Sequence, residues 1–251
     1  FDRQGSRISL TEAGKLLLEH CERILEDYKR LEYEMHLLHN EYTGGLKLGA
    51  STTVAQYVLP PLLASFIGKF PHVNLSLLNG NSREIEAALQ EHRIDLGFVE
   101  GVFRLPNIKY TTFLKDELVA VVRTGSKLAI GEEITPEELL HLPLVLRERG
   151  SGTLDVFERA LQQHNIKLSS LQVLMYLGST ESIKLFLEHT DCLGIVSIRS
   201  ITRELYSGQL RVVEIKDMPM LRDFSFAQPQ GQESGLAQVF MQFAMHYNNK
   251  L

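Results

Sequence analysis

Hydroxyl and amide side chains collect at four places in this sequence where a short apolar strand gives way to a predicted helix. A helix N-terminus exposes unpaired backbone amides at the positive end of the helix dipole, so such turns favour a small anion. Ligands of open α/β sheets lie at the carboxyl ends of strands, and we therefore predict that the four turns line one binding cleft. The polar residues of these turns are Ser51, Thr52, Thr53, Asn81, Ser82, Ser151, Thr153, Ser179 and Thr180.

Two charged residues adjoin the same turns. Arg147 ends a predicted strand and could hold a carboxylate or a sulfate through two parallel hydrogen bonds. Glu100 ends another strand, and its carboxylate could exclude some anions or bind an amine. The effector is therefore expected to be small and anionic, with its identity open. For each hydroxyl side chain the simpler alternative is a helix N-cap that binds no ligand.

Enzymatic chemistry lacks the residue patterns that it needs. The sequence contains no Gly-x-Ser-x-Gly elbow, no P-loop and no His-Glu-x-x-His motif, and its nine histidines are scattered. We therefore predict no enzyme activity, no cofactor and no metal site. Cys192 could be a redox sensor, although a cysteine between an apolar helix and a strand is more often inert.

The composition is that of a folded globular protein. The chain has 251 residues, of which 44% are hydrophobic, and this suffices for one large domain or two small ones. Its net charge of −5 is not the basic footprint of a nucleic-acid-binding domain. No apolar run approaches the roughly 20 residues of a membrane span, so no membrane partner is predicted. The two cysteines favour a reducing compartment, and we expect a cytoplasmic protein.

The elements that must position these residues follow from hydrophobic patterning after Gly45. Short apolar strands alternate with helical patterns, which predicts an α/β fold with a parallel sheet and helices on both faces. The first helix is expected to be interrupted near Pro60-Pro61, and Thr135-Pro136-Glu137-Glu138 predicts a capping box. Strands are predicted at 46–50, 73–78, 95–100, 118–123, 144–147, 171–176, 194–198 and 223–227, and the chain ends in an amphipathic helix.

The segment 11–43 carries apolar residues at alternating steps of four and three, which is the heptad seam of a coiled coil. Thr11 is its predicted N-cap, and Gly44-Gly45 is its predicted stop. A helix of about 30 residues is roughly 45 Å long, too long to bury along one small domain, so we predict a homodimer. The alternative is an amphipathic helix packed on its own domain. The residues assigned to dimerisation are Leu17, Ile24, Tyr28, Leu31, Met35 and Leu38.

The segment before this helix is the most specific motif of the chain. It reads Phe1-Asp2-Arg3-Gln4-Gly5-Ser6-Arg7-Ile8-Ser9-Leu10 and leads into Thr11-Glu12-Ala13-Gly14, which predicts two short strands around a glycine turn. Arg3 and Arg7 are suited to contact the phosphates of a DNA backbone. The motif resembles, nearly residue for residue, the wing and linker-helix start of LysR-type transcriptional regulators. The resemblance implies that residues 1–10 are the remnant of a winged helix-turn-helix whose DNA-binding head is truncated.

The resemblance extends through the rest of the chain. It implies an effector-binding domain at 45–251, with two subdomains of the type II periplasmic-binding-protein kind. With chain crossings near Val121 and near Arg222, subdomain I comprises 45–121 and 223–251, and subdomain II comprises 122–222. The segments that match the family are Gly45-Leu46-Lys47-Leu48-Gly49, Leu59-Pro60, Phe66, Phe70-Pro71, Asp95-Leu96-Gly97, Arg147-Glu148-x-Gly150-Ser151-Gly152-Thr153 and Gly194-Ile195.

The function implied by the resemblance is ligand-responsive transcription regulation. An effector bound between the subdomains would alter the geometry of a dimer, or of a tetramer, on DNA. The intact protein, rather than this fragment, would bind the DNA. The alternative is a two-lobed solute-binding protein for transport, which would be a monomer and is disfavoured by the heptad seam. The family's usual effector positions match Ser51, Thr53, Ser82, Ser151 and Thr180.

Overall fold

The computed structural model describes residues 2–4, 7–38, 42–101, 104–128, 131–231 and 235–248. The chain divides into two compact units between Thr43 and Gly44. None of the described helices is both long enough and apolar enough to cross a lipid bilayer.

The first unit consists of a two-stranded hairpin and a long helix. Strands β1 (Asp2–Gln4) and β2 (Arg7–Ser9) pair antiparallel, and helix α1 spans Glu12–Leu38. Thr11 caps this helix as predicted, because its Oγ1 accepts a hydrogen bond of 3.0 Å from the Gly14 amide. The predicted turn at Gly5-Ser6, the residues 39–41 of the predicted helix, and the side chains of Arg3, Arg7, Met35 and Leu38 lie outside the described part.

The described side chains of the predicted heptad seam are exposed on α1. Leu17, Ile24, Tyr28 and Leu31 are each between 56% and 67% exposed. Burying such a seam against a second helix removes its apolar surface from water. The homodimer therefore stays a prediction, and a measurement of the oligomeric state tests it.

The second unit begins with three parallel strands, of which the first in the chain lies between the other two. The helix that follows this first strand breaks at Val58, just before Leu59 and Pro60 begin the next helix. The predicted interruption is therefore confirmed, two residues earlier than expected. The elements are β3 (Gly44–Ser51), α2 (Thr52–Tyr57), α3 (Leu59–Lys69), β4 (Val73–Gly80), α4 (Ser82–Gln90) and β5 (Leu96–Glu100).

The remaining elements form a second half and the two strands that connect it to the first. A 3₁₀ turn at Pro136–His141 carries the predicted capping box, in which Thr135 and Glu138 each accept from the other's amide. The elements are β6 (Ile108–Arg123), β7 (Glu133–Ile134), β8 (Pro143–Arg147), α5 (Gly152–Gln163), β9 (Gln172–Leu177), α6 (Thr180–His189), β10 (Leu193–Ser197), α7 (Thr202–Tyr206), β11 (Leu210–Ile215), β12 (Met220–Pro229) and α8 (Gly235–Asn248).

The long strands β6 and β12 make the sheet mixed, with the order β4-β3-β5-β12-β6-β10-β8-β9. Strands β3, β4 and β5 are mutually parallel, as are β8, β9 and β10. By contrast, β12 is antiparallel to β5 and β6, and β6 is antiparallel to β10. The parallel arrangement predicted from the first three strands is thus confirmed, whereas the two connecting strands are antiparallel to their neighbours, because one carries the chain out of the first half and the other carries it back.

The chain passes between the halves in the middle of these two strands. Val121, where a crossing was predicted, pairs with Gly194 and Val212 of the second half. The outward crossing therefore lies several residues earlier, near Asp116, which is opposite Arg222 in β12. With the outward crossing placed near Asp116, the division of residues 45–251 into two subdomains stays a proposal.

Aromatic side chains fill the core of the first half. Phe98 on β5 is fully buried, and its ring centroid lies 5.0 Å from that of Phe226, 5.9 Å from Phe113 and 6.0 Å from Phe240. These rings join β5, β6, β12 and α8 into one packed layer. Phe98 lies two residues before Glu100, so this packing fixes the end of β5.

Replacement of Phe98 by alanine should therefore destabilise the protein strongly. We expect Phe98→Ala to lower the free energy of unfolding by about 3–5 kcal/mol, measured by urea denaturation, because it empties a packed aromatic site. The matched control is Tyr206→Ala, which truncates an aromatic side chain that is 96% exposed. Its effect should stay within about 0.5 kcal/mol. Similar losses for both variants would contradict this account of the core.

Candidate functional site

The polar turns of the first half lie at the ends of its three strands. Thr52 Oγ1 donates to the Gly80 carbonyl at 3.2 Å, and Ser82 Oγ donates to the Glu100 carbonyl at 2.8 Å. These bonds tie the end of β3 to the end of β4, and the start of α4 to the end of β5. Ser51 precedes α2 but makes no capping bond, and its buried Oγ has no hydrogen-bond partner among the described residues.

Three of the predicted site residues act as helix N-caps, which was the simpler alternative to binding a ligand. Asn81 accepts from the Glu84 amide at 3.0 Å, and the Glu84 carboxylate accepts from the Asn81 amide. Ser151 caps α5 by accepting from the Thr153 amide, and Ser179 caps α6 by accepting from the Ser182 amide. These side chains shape the turns, and their oxygens serve as acceptors for the helix amides.

Arg147 is 1% exposed, and its guanidinium is already paired. Its Nε and Nη2 donate to the two carboxylate oxygens of Glu148 at 2.9 and 3.1 Å. The forked contact predicted for a ligand is thus made within the protein. Arg147 also reaches Thr180 Oγ1 at 3.5 Å and, across the cleft, Thr52 Oγ1 at 3.3 Å. It therefore connects the two halves.

Glu100 lies at the centre of the predicted cleft. Its Oε1 accepts from Thr53 Oγ1 of the first half at 3.3 Å and from Thr153 Oγ1 of the second half at 3.4 Å. Arg222 Nη1 lies 3.3 Å from the same oxygen and donates to Thr153 Oγ1 at 3.0 Å. The residue is 6% exposed, and its other oxygen, Oε2, has no partner among the described residues.

A buried ion pair beside Glu100 was not predicted. Arg222 Nε donates to Asp116 Oδ2 at 2.8 Å, and its Nη2 lies 2.7 Å from that oxygen in an ion pair without hydrogen-bond geometry. Asp116 Oδ1 accepts from Ser197 Oγ at 2.7 Å. The signal in the sequence is a charged residue within an apolar strand, since Arg222 is followed by the alternating core residues Phe224 and Phe226. In the sequence, Arg222 was taken only as the position of a chain crossing.

A second contact across the halves lies at the end of α2. The Tyr57 hydroxyl donates to the Glu181 carboxylate at the start of α6. Burial, and then this hydrogen bond, raise the pKa of Tyr57 above its ordinary value. Lys184 is buried beneath the contact, 2.8 Å from Glu181, 2.7 Å from Glu204 and 5.2 Å from the centre of the Tyr57 ring. None of these four residues was predicted, because they are polar groups of ordinary helices.

The other candidate chemistries find little support in the described part of the chain. Within it, no three His, Cys, Asp or Glu side chains are placed to hold a metal ion. Cys192 is buried, and burial, together with the charge of Asp191, raises the pKa of its thiol to about 11, which disfavours the reactive thiolate. A cavity of about 540 Å³ lies between β6, β11 and the start of β12, and its lining includes none of the predicted site residues.

The two halves are in close contact where Gly152 meets Glu100. A Cβ atom at position 152 would lie 2.2 Å from the Glu100 carbonyl oxygen, so only glycine fits there without movement of the backbone. The amide of Arg83 also donates to the Gly150 carbonyl at 3.3 Å. The start of α5 is thereby pressed against the end of β5.

An alanine at position 152 should therefore disturb the contact between the halves. We expect Gly152→Ala to lower the free energy of unfolding by about 1–3 kcal/mol in urea and to raise hydrogen exchange near Glu100. Gly178→Ala is the control, because a Cβ there meets no atom within 4 Å. An unchanged exchange rate near Glu100 in Gly152→Ala would show that the contact is not as tight as described.

A family model, a curated protein and solved structures that are similar to this chain agree on one family. The model of the LysR substrate binding domain matches residues 39–248. The HTH-type transcriptional regulator YeiE of Escherichia coli K12 is 34% identical over 215 residues, which cover 86% of this chain and 71% of that protein. The CcmR regulatory domain of Synechocystis PCC6803, solved in complex with 2-PG, superposes with a TM-score of 0.75 at 27% identity and covers 83% of this chain and 99% of its own. The effector-binding domain of QuiR, solved in complex with shikimate, shares the fold with a TM-score of 0.73 at 20% identity, over 83% of this chain and 99% of its own.

Proposed function

Because this chain belongs to the LysR-type transcriptional regulators, we propose that its second unit senses a small acid bound between the two halves. The observation that carries the proposal is the meeting of Thr53 and Thr153, one from each half, on the buried carboxylate of Glu100. Two solved relatives were bound to small molecules, 2-PG in CcmR and shikimate in QuiR. Family membership favours a regulator over a transport protein and over an enzyme.

Signal transmission would follow from a shift between two orientations of the halves. The bridges from Arg147 to Thr52 and from Tyr57 to Glu181 join residues of different halves, so opening the cleft breaks them. An effector that binds one orientation more tightly shifts the population toward it by that difference in affinity. The strands β6 and β12 are the only covalent path between the halves in this proposal, and they would serve as the hinge.

Assembly and DNA binding form the second part of the proposal. The exposed seam of α1 would pair with the same helix of a second copy, and the effector units could then associate through their edge strands. Apolar side chains are exposed on both edge strands, Leu77 and Leu78 on β4 and Leu174, Met175 and Tyr176 on β9. In the intact regulator, acting in the cytoplasm, Arg3 and Arg7 would contact DNA phosphates, and a tetramer would form from two such dimers.

The effector site can be tested by thermal stabilisation of this chain against a panel of small acids, amines and neutral compounds. A compound present at a hundred times its dissociation constant should stabilise the protein by about 2.7 kcal/mol, which shifts the melting temperature by a few degrees. We expect the shift to disappear in Thr53→Ala and Thr153→Ala and to persist in Thr202→Ala, which removes an exposed hydroxyl. A shift that persists in both cleft variants would place the effector elsewhere.

The dimer can be tested by placing a charge in the heptad seam. Ile24→Glu should convert a dimer into a monomer in sedimentation equilibrium, because two buried glutamates would face each other. The control Arg23→Glu introduces the same side chain beside the seam, at an exposed position, and should remain dimeric. A wild-type chain that sediments as a monomer would refute pairing through α1.

A further inference from the structure

The Glu100 carboxylate occupies the place where a bound anion was expected. Its Oε1 receives the hydroxyls of Thr53 and Thr153 and faces the Arg222 guanidinium, which are the donors that a ligand carboxylate would use. All three contacts measure between 3.3 and 3.4 Å. The protein has thus placed a fixed negative charge of its own between the two halves.

The guanidinium groups near this carboxylate already have partners within the protein. Arg222 shares its guanidinium with Asp116, and Arg147 is engaged by Glu148. A third guanidinium, that of the more exposed Arg199, lies 3.7 Å from Asp116, so each guanidinium of this cluster is paired with a carboxylate of the protein. A bare anion entering beside Glu100 would meet a like charge, which opposes its binding.

The second oxygen of Glu100 makes the site incomplete as it stands. Oε2 is buried and has no hydrogen-bond partner in the described part of the chain, and the same holds for Ser51 Oγ. A buried acceptor without a donor is costly, and a charged acceptor more so. The same carboxylate is held through Oε1 between Thr53 and Thr153, so its second oxygen lies beside the contact that joins the two halves.

We propose that Glu100 determines effector specificity, so that the cleft selects a small acid that also carries an amino or hydroxyl group. This inference rests on the proposed effector site. The amino or hydroxyl group donates to Glu100 Oε2, and the acidic group accepts from Ser51 Oγ. An acid that lacks the donor leaves Oε2 unsatisfied and brings its charge toward a carboxylate.

Matched acids test the proposal by isothermal titration of the full chain. The two sets are propionate, lactate and alanine, and succinate, malate and aspartate, whose members differ by a hydrogen, a hydroxyl or an ammonium group on one carbon. For the wild type we expect the hydroxy or amino acid of at least one set to bind at least about tenfold more tightly than the unsubstituted acid, because sites built for a donor reject analogues without it. Inorganic sulfate should not bind detectably.

The variant Glu100→Gln should reverse this preference. Its carbonyl oxygen can keep the contacts of Oε1, and its amide nitrogen then places a donor where Oε2 lay. We expect the unsubstituted acids and sulfate to gain at least about tenfold in affinity and the amino acids to lose a similar factor. Glu117→Gln, which neutralises an exposed carboxylate on β6 outside the cleft, should leave the wild-type order unchanged.

The outcomes separate this inference from the function on which it rests. Wild-type binding of propionate or succinate as tight as that of their substituted partners overturns the role of Glu100, whether or not Glu100→Gln folds. An unchanged order in a folded Glu100→Gln variant overturns it as well. If neither protein binds any of these acids, the proposal of a small-acid effector fails together with the role of Glu100, and the thermal panel with amines and neutral compounds then tests the cleft by itself.

Discussion

The buried pair of Arg222 and Asp116 is the interaction on which the rest of the second unit depends. The two residues are opposite each other on β12 and β6, at the point where the chain passes between the halves. Two charges can be buried there only because each also has further partners, Ser197 for the aspartate and Thr153 for the arginine. Removal of Asp116 would leave Arg222 with Glu100 as its ion-pair partner in the described part of the chain, and removal of Arg222 would leave Asp116 with Arg199 at 3.7 Å.

This pair also determines what the cleft can do. Once Asp116 orients one side of the guanidinium, the remaining Nη1 points to Thr153 and Glu100. The connecting strands are joined by an antiparallel ladder with one irregularity between Phe224 and Ser225, whereas the side-chain bonds that cross the cleft from Arg147 to Thr52 and from Thr153 to Glu100 measure 3.3 and 3.4 Å. Contacts of that kind exchange readily for contacts with a ligand. The structure therefore combines a stable connection with replaceable bridges, which a two-state sensor requires.

Much of the fold was predictable from local pattern, and the exceptions share a physical cause. The alternation of strands and helices, the cap at Thr11 and the capping box at Thr135 follow from neighbouring residues, and all were found. The first part of β6 was missed because its polar residues break the apolar pattern, and its burial depends on β12, which lies about a hundred positions later. For the same reason the pairing of Asp116 with Arg222, 106 positions apart, has no local signature.

The candidate site shows the same division between local and distant causes. Sequence spacing placed hydroxyl groups at the strand ends, but it could not separate Ser151 and Ser179, which cap helices, from Thr53 and Thr153, which meet across the cleft. That distinction depends on which oxygen a distant chain segment brings near. The expectation of an anionic ligand rested on helix N-termini and on Arg147, whereas the structure pairs Arg147 with Glu148 and sets the carboxylate of Glu100 among the hydroxyl donors. Whether a polar turn attracts an anion is thus decided by the charge that the fold has already placed beside it.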